Sequence, residues 1–347
     1  DAKMLEFDES RLDHIEIGLA EGKSFVLRKT DSVWRVSEPY DDVADPERVA
    51  RLIHELKELQ LVERIKRAEF SDSAWRATGL DNPAAKFRLM AGAEKLTAFW
   101  LGQPGAVERT LYASMEAPGN GGGREAFVLR SGLHAVLEEP TALWRDMKLL
   151  RLPAEAVTRM RLNSGDGLIE VARAPEERGE WLLTKPLQAR GSRERIEDTL
   201  AAALNLDILS AELAAIPGSP AAPANGATAE PDALRVTLFA GGREYELQAL
   251  QAVDVNTAEV LMTASHRRPH FKVPAEQVSR LLVKPNDLRD DHLARVDAEK
   301  VAAFGMRSAA FPELELKQEN QTWLLRRQGR WEPANGERVA RLFETLN

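Results

Sequence analysis

Six histidines and no cysteine bound the side-chain chemistry open to this 347-residue chain. His266 and His270 stand four residues apart, the spacing at which two imidazoles on one helix face share a metal. Arg267, Arg268 and Pro269 lie between them. The segment therefore reads as a solvated hairpin loop in which two cations compete for the space. His14, His54, His134 and His292 are isolated, and no His-Glu-x-x-His occurs. The run Gly119-Asn120-Gly121-Gly122-Gly123 has the composition of a phosphate cradle. A cradle opens a helix, whereas Arg124-Glu125-Ala126 leads into a strand, so a hairpin tip is expected. Asn163 to Gly167 reads as a short turn for the same reason. There is no Gly-x-Ser-x-Gly elbow, and Ser131 beside Gly132 has no partner in the sequence. Asp41-Asp42, Glu138-Glu139 and Asp290-Asp291 invite an acid–base dyad, but carboxylates adjacent in sequence usually point apart into solvent. No catalytic residue, metal ligand or cofactor-binding group is expected.

The bulk numbers narrow the classes further. Lys and Arg number 47 against 55 Asp and Glu, a net charge of −8, with a pI near 5.5. Nucleic-acid binders draw affinity from phosphate neutralisation, and this chain has no dense basic block, so no nucleic-acid partner is expected. No apolar run approaches the roughly 20 residues that span a bilayer. The chain opens Asp1-Ala2-Lys3 without an initiator methionine or the basic and apolar regions of a signal peptide. Without cysteines, an exported protein lacking disulfides and a cytoplasmic one read alike.

Self-comparison organises the rest. Arg145-Asp146 to Val157 lies 144 residues before Arg289-Asp290 to Val301, with seven of thirteen positions identical. Trp34 to Pro39 matches Trp181 to Pro186 at an offset of 147, and Glu47-Arg48-Val49 falls on Glu194-Arg195-Ile196 at the same offset. Glu337-Arg338-Val339-Ala340-Arg341-Leu342 repeats residues 47–52 letter for letter. Two full units, 1–144 and 145–288, and a truncated third, 289–347, are expected. Arg145, Asp146, Arg289 and Asp290 mark the junctions. Each arginine is expected to satisfy carbonyls left free at the turn with its fork of donors, and each aspartate to accept from the first N–H groups of the next unit.

The elements within a unit follow from local pattern. Ile15-Glu16-Ile17, Phe25-Val26-Leu27 and Trp34-Arg35-Val36 read as strands. Asp45-Pro46-Glu47 opens a helix, since Asp accepts from free N–H groups and Pro suits the first turn. Val49, Leu52, Ile53, Leu56 and Leu59 give that helix one apolar face. In the second copy Ser192 is the expected cap, with Ile196, Leu200, Ala203 and Leu204 as the stripe. Residues 87–90, 96–100, 111–113 and 127–129 read as further strands, and Leu133 to Leu137 as a short helix. The class expected is α+β, tandem units of mostly antiparallel sheet with one principal helix per unit. Ala214 to Pro231, nearly all Ala, Pro, Gly, Ser and Asn, reads as a mobile loop within the second unit. Six of the seven tryptophans fall near repeat landmarks, which suits core anchoring.

Gly79-Leu80-Asp81-Asn82-Pro83 resembles the Gly-Leu-Asp-x-Pro signature of the bacterial domain-of-unknown-function family numbered 4340. Trp34 to Pro39, the helix from Pro46, Leu101-Gly102, Tyr112 and the arginine-bearing turn at Leu143 to Leu149 follow in that family's order. The second unit keeps less of it: Glu230-Pro231 stands for Asp81 to Pro83, and the Gly-Leu is missing. The resemblance implies an extracytoplasmic body on one N-terminal membrane anchor preceding Asp1, at the periplasmic face of a bacterial inner membrane. It also implies ABC-type transporter components, of the gliding-motility kind, as protein partners, and it brings no catalytic residues. The expectation is a non-enzymatic scaffold or interaction module. A module binding a cell-wall or exported glycan between units, and a carboxylate-dependent hydrolase, are the alternatives. The oligomeric state is not legible in the sequence.

Overall fold

A computed structural model describes residues 2–19, 24–115, 125–175, 180–212, 230, 232–254, 256–292, 300–307 and 313–346. Among these residues the strands form three sheets in which every pairing between named strands is antiparallel. The first sheet contains β1 (Ala2–Lys3), β2 (His14–Leu19), β3 (Ser24–Thr30), β4 (Val33–Glu38), β5 (Asp42–Val43), β6 (Gln60–Lys66), β7 (Ala85–Ala91), β8 (Glu94–Pro104), β9 (Thr110–Ser114) and β10 (Glu125–Arg130). Across it they run β1-β6-β10-β9-β8-β7-β2-β3-β4-β5. The second contains β11 (Val157–Ser164), β12 (Gly167–Arg173), β13 (Trp181–Lys185), β14 (Ala189–Arg190), β15 (Ser210–Glu212), β16 (Arg235–Ala240), β17 (Arg243–Ala249), β18 (Glu259–Ala264) and β19 (His270–Pro274), in the order β14-β13-β12-β11-β16-β17-β18-β19-β15. The third is a meander of β20 (Ala303–Met306), β21 (Leu314–Glu319), β22 (Thr322–Arg327) and β23 (Arg330–Pro333). The chain is α+β, with mostly antiparallel sheet and few helices.

The helices are α1 (Pro46–Lys57), α2 (Asp72–Ala77), α3 (Leu133–Leu137), α4 (Arg193–Leu204), α5 (Ala275–Ser279), α6 (Pro285–Leu288) and α7 (Gly336–Leu346). Asp45 caps α1, its Oδ1 accepting from the N–H groups of Glu47 and Arg48 at 2.9 and 3.0 Å. Val49, Leu52, Ile53 and Leu56 of that helix are buried against Ile15, Leu27, Phe87, Phe99 and Leu129 from the sheet. At about 1.5–3 kcal/mol per buried side chain, this face and not helix propensity holds α1 in place. Ser192 stands at the N-cap of α4, but its side chain makes no capping hydrogen bond. Ile196, Leu200 and Ala203 nonetheless pack into the second core around Trp181 and Phe271.

Each large sheet has an approximate two-fold relation about its centre. In the first, β2 pairs with β7, flanked by β3-β4-β5 on one side and β8-β9-β10 on the other. Four strands and a helix, β2 to α1, are thus opposed by four strands and a helix, β7 to α3. The second sheet repeats the plan with β11 and β16 at its centre and α4 and α5 following the outer strands. The third sheet with α7 has the plan of one half alone.

Candidate functional site

Asp42, in the two-residue edge strand β5, is fully buried, and both its oxygens are saturated. Oδ1 accepts from the backbone N–H of Val43 at 2.8 Å and from Arg267 Nε at 2.7 Å. Oδ2 accepts from Arg145 Nε at 2.7 Å and from Arg267 Nη2 at 2.8 Å. Two guanidinium groups therefore share one carboxylate. Arg267 also donates to the carbonyls of Lys148 (2.7 Å) and Asp146 (2.9 Å) and lies over the Phe271 ring. Arg145 lies over Tyr40, 4.4 Å from its centroid, a face that complements a cation whose Nη2 has no hydrogen-bond acceptor. Burial pushes the Tyr40 hydroxyl up to about 12, and it donates to the Thr141 carbonyl at 2.8 Å.

A half-exposed layer surrounds this centre. Arg35 bonds Asp41 and the carbonyl of His266, and exposed Arg268 pairs with the other oxygen of Asp41 at 2.8 Å. Burial, with Arg267 and Arg35 nearby, pushes His266 down to about 4. The whole joins the first sheet to the second: Asp42 and Arg35 come from β5 and β4, Arg145 from the connection, and Arg267 from the turn between β18 and β19.

The two junctions marked by Arg-Asp have one backbone plan. Ala44 bridges Arg145 and Gly191 bridges Arg289. The N–H of Asp146 donates to Val43 O and that of Asp290 to Arg190 O. Asp146 Oδ1 accepts from the N–H of Lys148 and Asp290 Oδ1 from that of His292, each two residues on. The arginines differ: Arg145 is buried, whereas Arg289 is exposed. An offset of 147 puts Ala189 where Asp42 stands, so Arg289 has no buried carboxylate to enter for. The expectation that each arginine braces free carbonyls describes neither: Arg145 bonds the Asp42 carboxylate, and Arg289 is exposed.

Two further expectations from the sequence fail. Asp42 is not a solvated member of an adjacent pair; two arginines compensate its desolvation. The His266–His270 turn is not a solvated loop throughout, because Arg267 is only 3% exposed. The local sequence carried no sign of either, since the partners lie 225 residues apart. At an offset of 147 residues 40–46 share no identity with residues 187–193, so self-comparison does not single out Asp42.

The Gly79 to Pro83 turn forms a separate cluster. Gly79 has a φ of +71°, and a Cβ there would lie 2.8 Å from Gln103 Cγ. The facing Gly102 is tighter still: its Cβ would lie 2.0 Å from the Thr78 carbonyl oxygen, while the next N–H, of Gln103, donates to that oxygen at 2.7 Å. Asp81 accepts from the buried Trp75 indole at 2.8 Å, and Leu80 packs with Trp75 and Ala126. Pro83 leads the chain out toward β7. Gly-Leu-Asp-x-Pro and the later Leu-Gly are thus two sides of one packed turn. Ser131 Oγ donates to Glu55 at 3.1 Å and accepts from the N–H of Leu133, so it serves the start of α3. Asp290, Asp291 and His292 bring ligand atoms within 4.8 Å, but Arg195 already holds Asp291 at 3.0 Å and His292 Nδ1 lies 2.7 Å from Asp290. The glycine run 119–123 and, apart from Glu230, the segment 214–231 lie outside the described residues. Among the described residues no helix is long and apolar enough to cross a membrane.

Three antiparallel sheets packed with helices, the first two joined through a buried arginine–aspartate seam, define an α+β protein. The chain belongs to the family described as a domain of unknown function, DUF4340, which matches residues 34–228, more than half of its length. That span holds Asp42, Arg145 and the Gly79 to Pro83 turn, while Arg267, Arg289 and Asp290 fall beyond it. Neither a curated protein nor a solved structure matches the chain.

Proposed function

We propose that the chain is a non-enzymatic scaffold or interaction module on the extracytoplasmic face of a bacterial inner membrane, accessory to an ABC-type transport or gliding-motility-like assembly. A membrane anchor preceding Asp1 holds it there. Its body is two full repeat units, 1–144 and 145–288, and a truncated third, 289–347. The observation that carries this reading is the Asp42 seam. Its carboxylate oxygens accept four hydrogen bonds from the protein itself, and a group so engaged is poorly placed to exchange protons with a substrate. What the seam does is hold two sheets in one orientation, as a platform for protein partners requires. The Gly79 to Pro83 turn supports the same reading, because Gly79 and the facing Gly102 are needed for close backbone packing.

The test is gentle detergent extraction of the native, membrane-anchored protein followed by identification of what co-purifies. Enrichment of transporter membrane or ATPase subunits over an unrelated anchored control is the expected result. Their absence from several independent extractions overturns the reading.

A further inference from the structure

The third sheet ends, among the described residues, on an unpaired edge. Among the described residues β20 pairs only with β21, Phe304 opposite Leu316 and Met306 opposite Leu314. The 2.8 Å bond from Gln318 N–H to Ala302 O fixes the alternation, so that Phe304 and Met306 face β21 with their N–H and C=O groups. Those of Ala303 and Gly305 point outward. Ala303 to Met306 carries no charge and no proline, the devices by which edge strands ordinarily avoid new partners. The apolar layer behind the edge is half-covered as well. Phe304, Leu314, Leu325, Leu342 and Leu346 are only partly buried around Leu316, Val339 and Phe343, and Met306 is 40% exposed.

We propose that this edge pairs with its own copy, so that two third units form one eight-stranded sheet about a two-fold axis at Gly305. The occupant is chosen by the protein's own plan. In the first sheet β2 meets β7, Ile15 opposite Leu89 and Ile17 opposite Phe87, with Glu16 opposite Arg88 at the centre. Trp34 and Trp323 align the first half-unit on the third at an offset of 289, which places Gly305 on Glu16, Phe304 on Ile15 and Met306 on Ile17. Two-fold pairing at Gly305 sets Phe304 of each copy opposite Met306 of the other on the core face. It uses the N–H and C=O that face outward, and it reproduces the arrangement of a complete unit.

Charge and size agree with a second copy. Between Lys300 and Leu346 basic side chains slightly outnumber acidic ones, although the chain as a whole stands at −8, so the charge that would oppose self-association lies elsewhere. A four-residue strand with a few apolar side chains behind it falls at the small end of specific interfaces. The dimer is therefore weak, in the micromolar range.

Sedimentation of the 347-residue chain tests this, together with Gly305→Lys, Gly305→Glu and an equal mixture of the two. A side chain at Gly305 meets nothing within 4 Å, and circular dichroism establishes that the variants fold. The parent should show a concentration-dependent monomer–dimer equilibrium. Either variant, which sets like charges opposite each other on the axis, should raise the dissociation constant at least tenfold, and mixing them should restore a dimer containing one of each. A parent that stays monomeric up to its solubility limit overturns the proposal. So does a dimer indifferent to both substitutions, or a mixture that stays monomeric.

Discussion

The junction at Arg145 and the junction at Arg289 share a backbone and differ in what fills it. Both have the same bridge, the same N–H to carbonyl bond from the aspartate, and the same acceptance of an N–H two residues on. At the first, a buried carboxylate from the preceding edge strand draws in Arg145, and Arg267 reaches back from the following unit to complete the cluster. At the second, alanine replaces the carboxylate and the arginine faces solvent. The recurring Arg-Asp therefore specifies the turn, while the seam depends on residues outside it.

The sharpest way to break the comparison is to remove the shared carboxylate. Asp42→Ala leaves two guanidinium groups facing a buried space without a counter-charge. Stripping one partner from a buried ion pair costs about 3–5 kcal/mol. Chemical denaturation should show a loss of that size, and limited proteolysis should open the Trp144–Lys148 connection first. A loss below about 1 kcal/mol would show that water reaches the seam and that the burial is nominal.

Proton uptake gives the next effect. His266 is held down to about 4 by burial and by Arg267 and Arg35, with Asp42 opposing them, and the Tyr245 ring packs edge-on against it. An unfolded histidine titrates near 6.5, so between 6.5 and about 4 the unfolded chain binds the extra proton. Stability contributed by the neutral ring is present above pH 6.5 and lost as pH falls through that window. The drop amounts to about 3 kcal/mol, at roughly 1.4 kcal/mol per unit. His266→Gln should lack this part of the pH dependence while keeping the part due to carboxylates, so the difference between the two stability curves isolates it. Parallel curves would place the ring in contact with water.

Much of the architecture was legible because it is local. Asp45-Pro46 announces the start of α1, the spacing of Val49, Leu52, Ile53 and Leu56 announces its buried face, and the alternation in residues 87–90 announces β7. The Gly79 turn was legible as a signature but not as a cause: that Gly102 must lack a Cβ to admit the Thr78 carbonyl is a contact across 24 residues of sequence. The seam was illegible for the same reason in stronger form. Arg267 looked like one of two surface cations, and Asp42 like one of two surface carboxylates, because nothing local distinguishes a charge that meets its partner 225 residues away. Self-comparison locates matching landmarks, and the seam sits where the copies do not match.

The smallest effect is the most discriminating, because it sets the two arginines side by side. Arg145→Ala removes one of two cations from Asp42 and an occupant of the Tyr40 face, yet Arg267 still satisfies both carboxylate oxygens. The cost is therefore below that of Asp42→Ala, about 2 kcal/mol, as expected for a lost charge-assisted hydrogen bond. Arg289→Ala removes a side chain that is exposed and has no buried carboxylate, so the change should stay within about 0.5 kcal/mol. Asp146 and Asp290 both accept the N–H two residues on, but Asp146 Oδ2 also accepts from Arg151 Nε at 2.6 Å, so Asp146→Ala should cost about 2 kcal/mol and Asp290→Ala about 1 kcal/mol. Denaturation of the four single variants reads this out directly. A wide gap between the arginines, with both aspartate variants costing more than Arg289→Ala, is the expected pattern. Equal costs for Arg145 and Arg289 would instead make the turn itself the source of stability and reduce the Asp42 seam to a consequence of it.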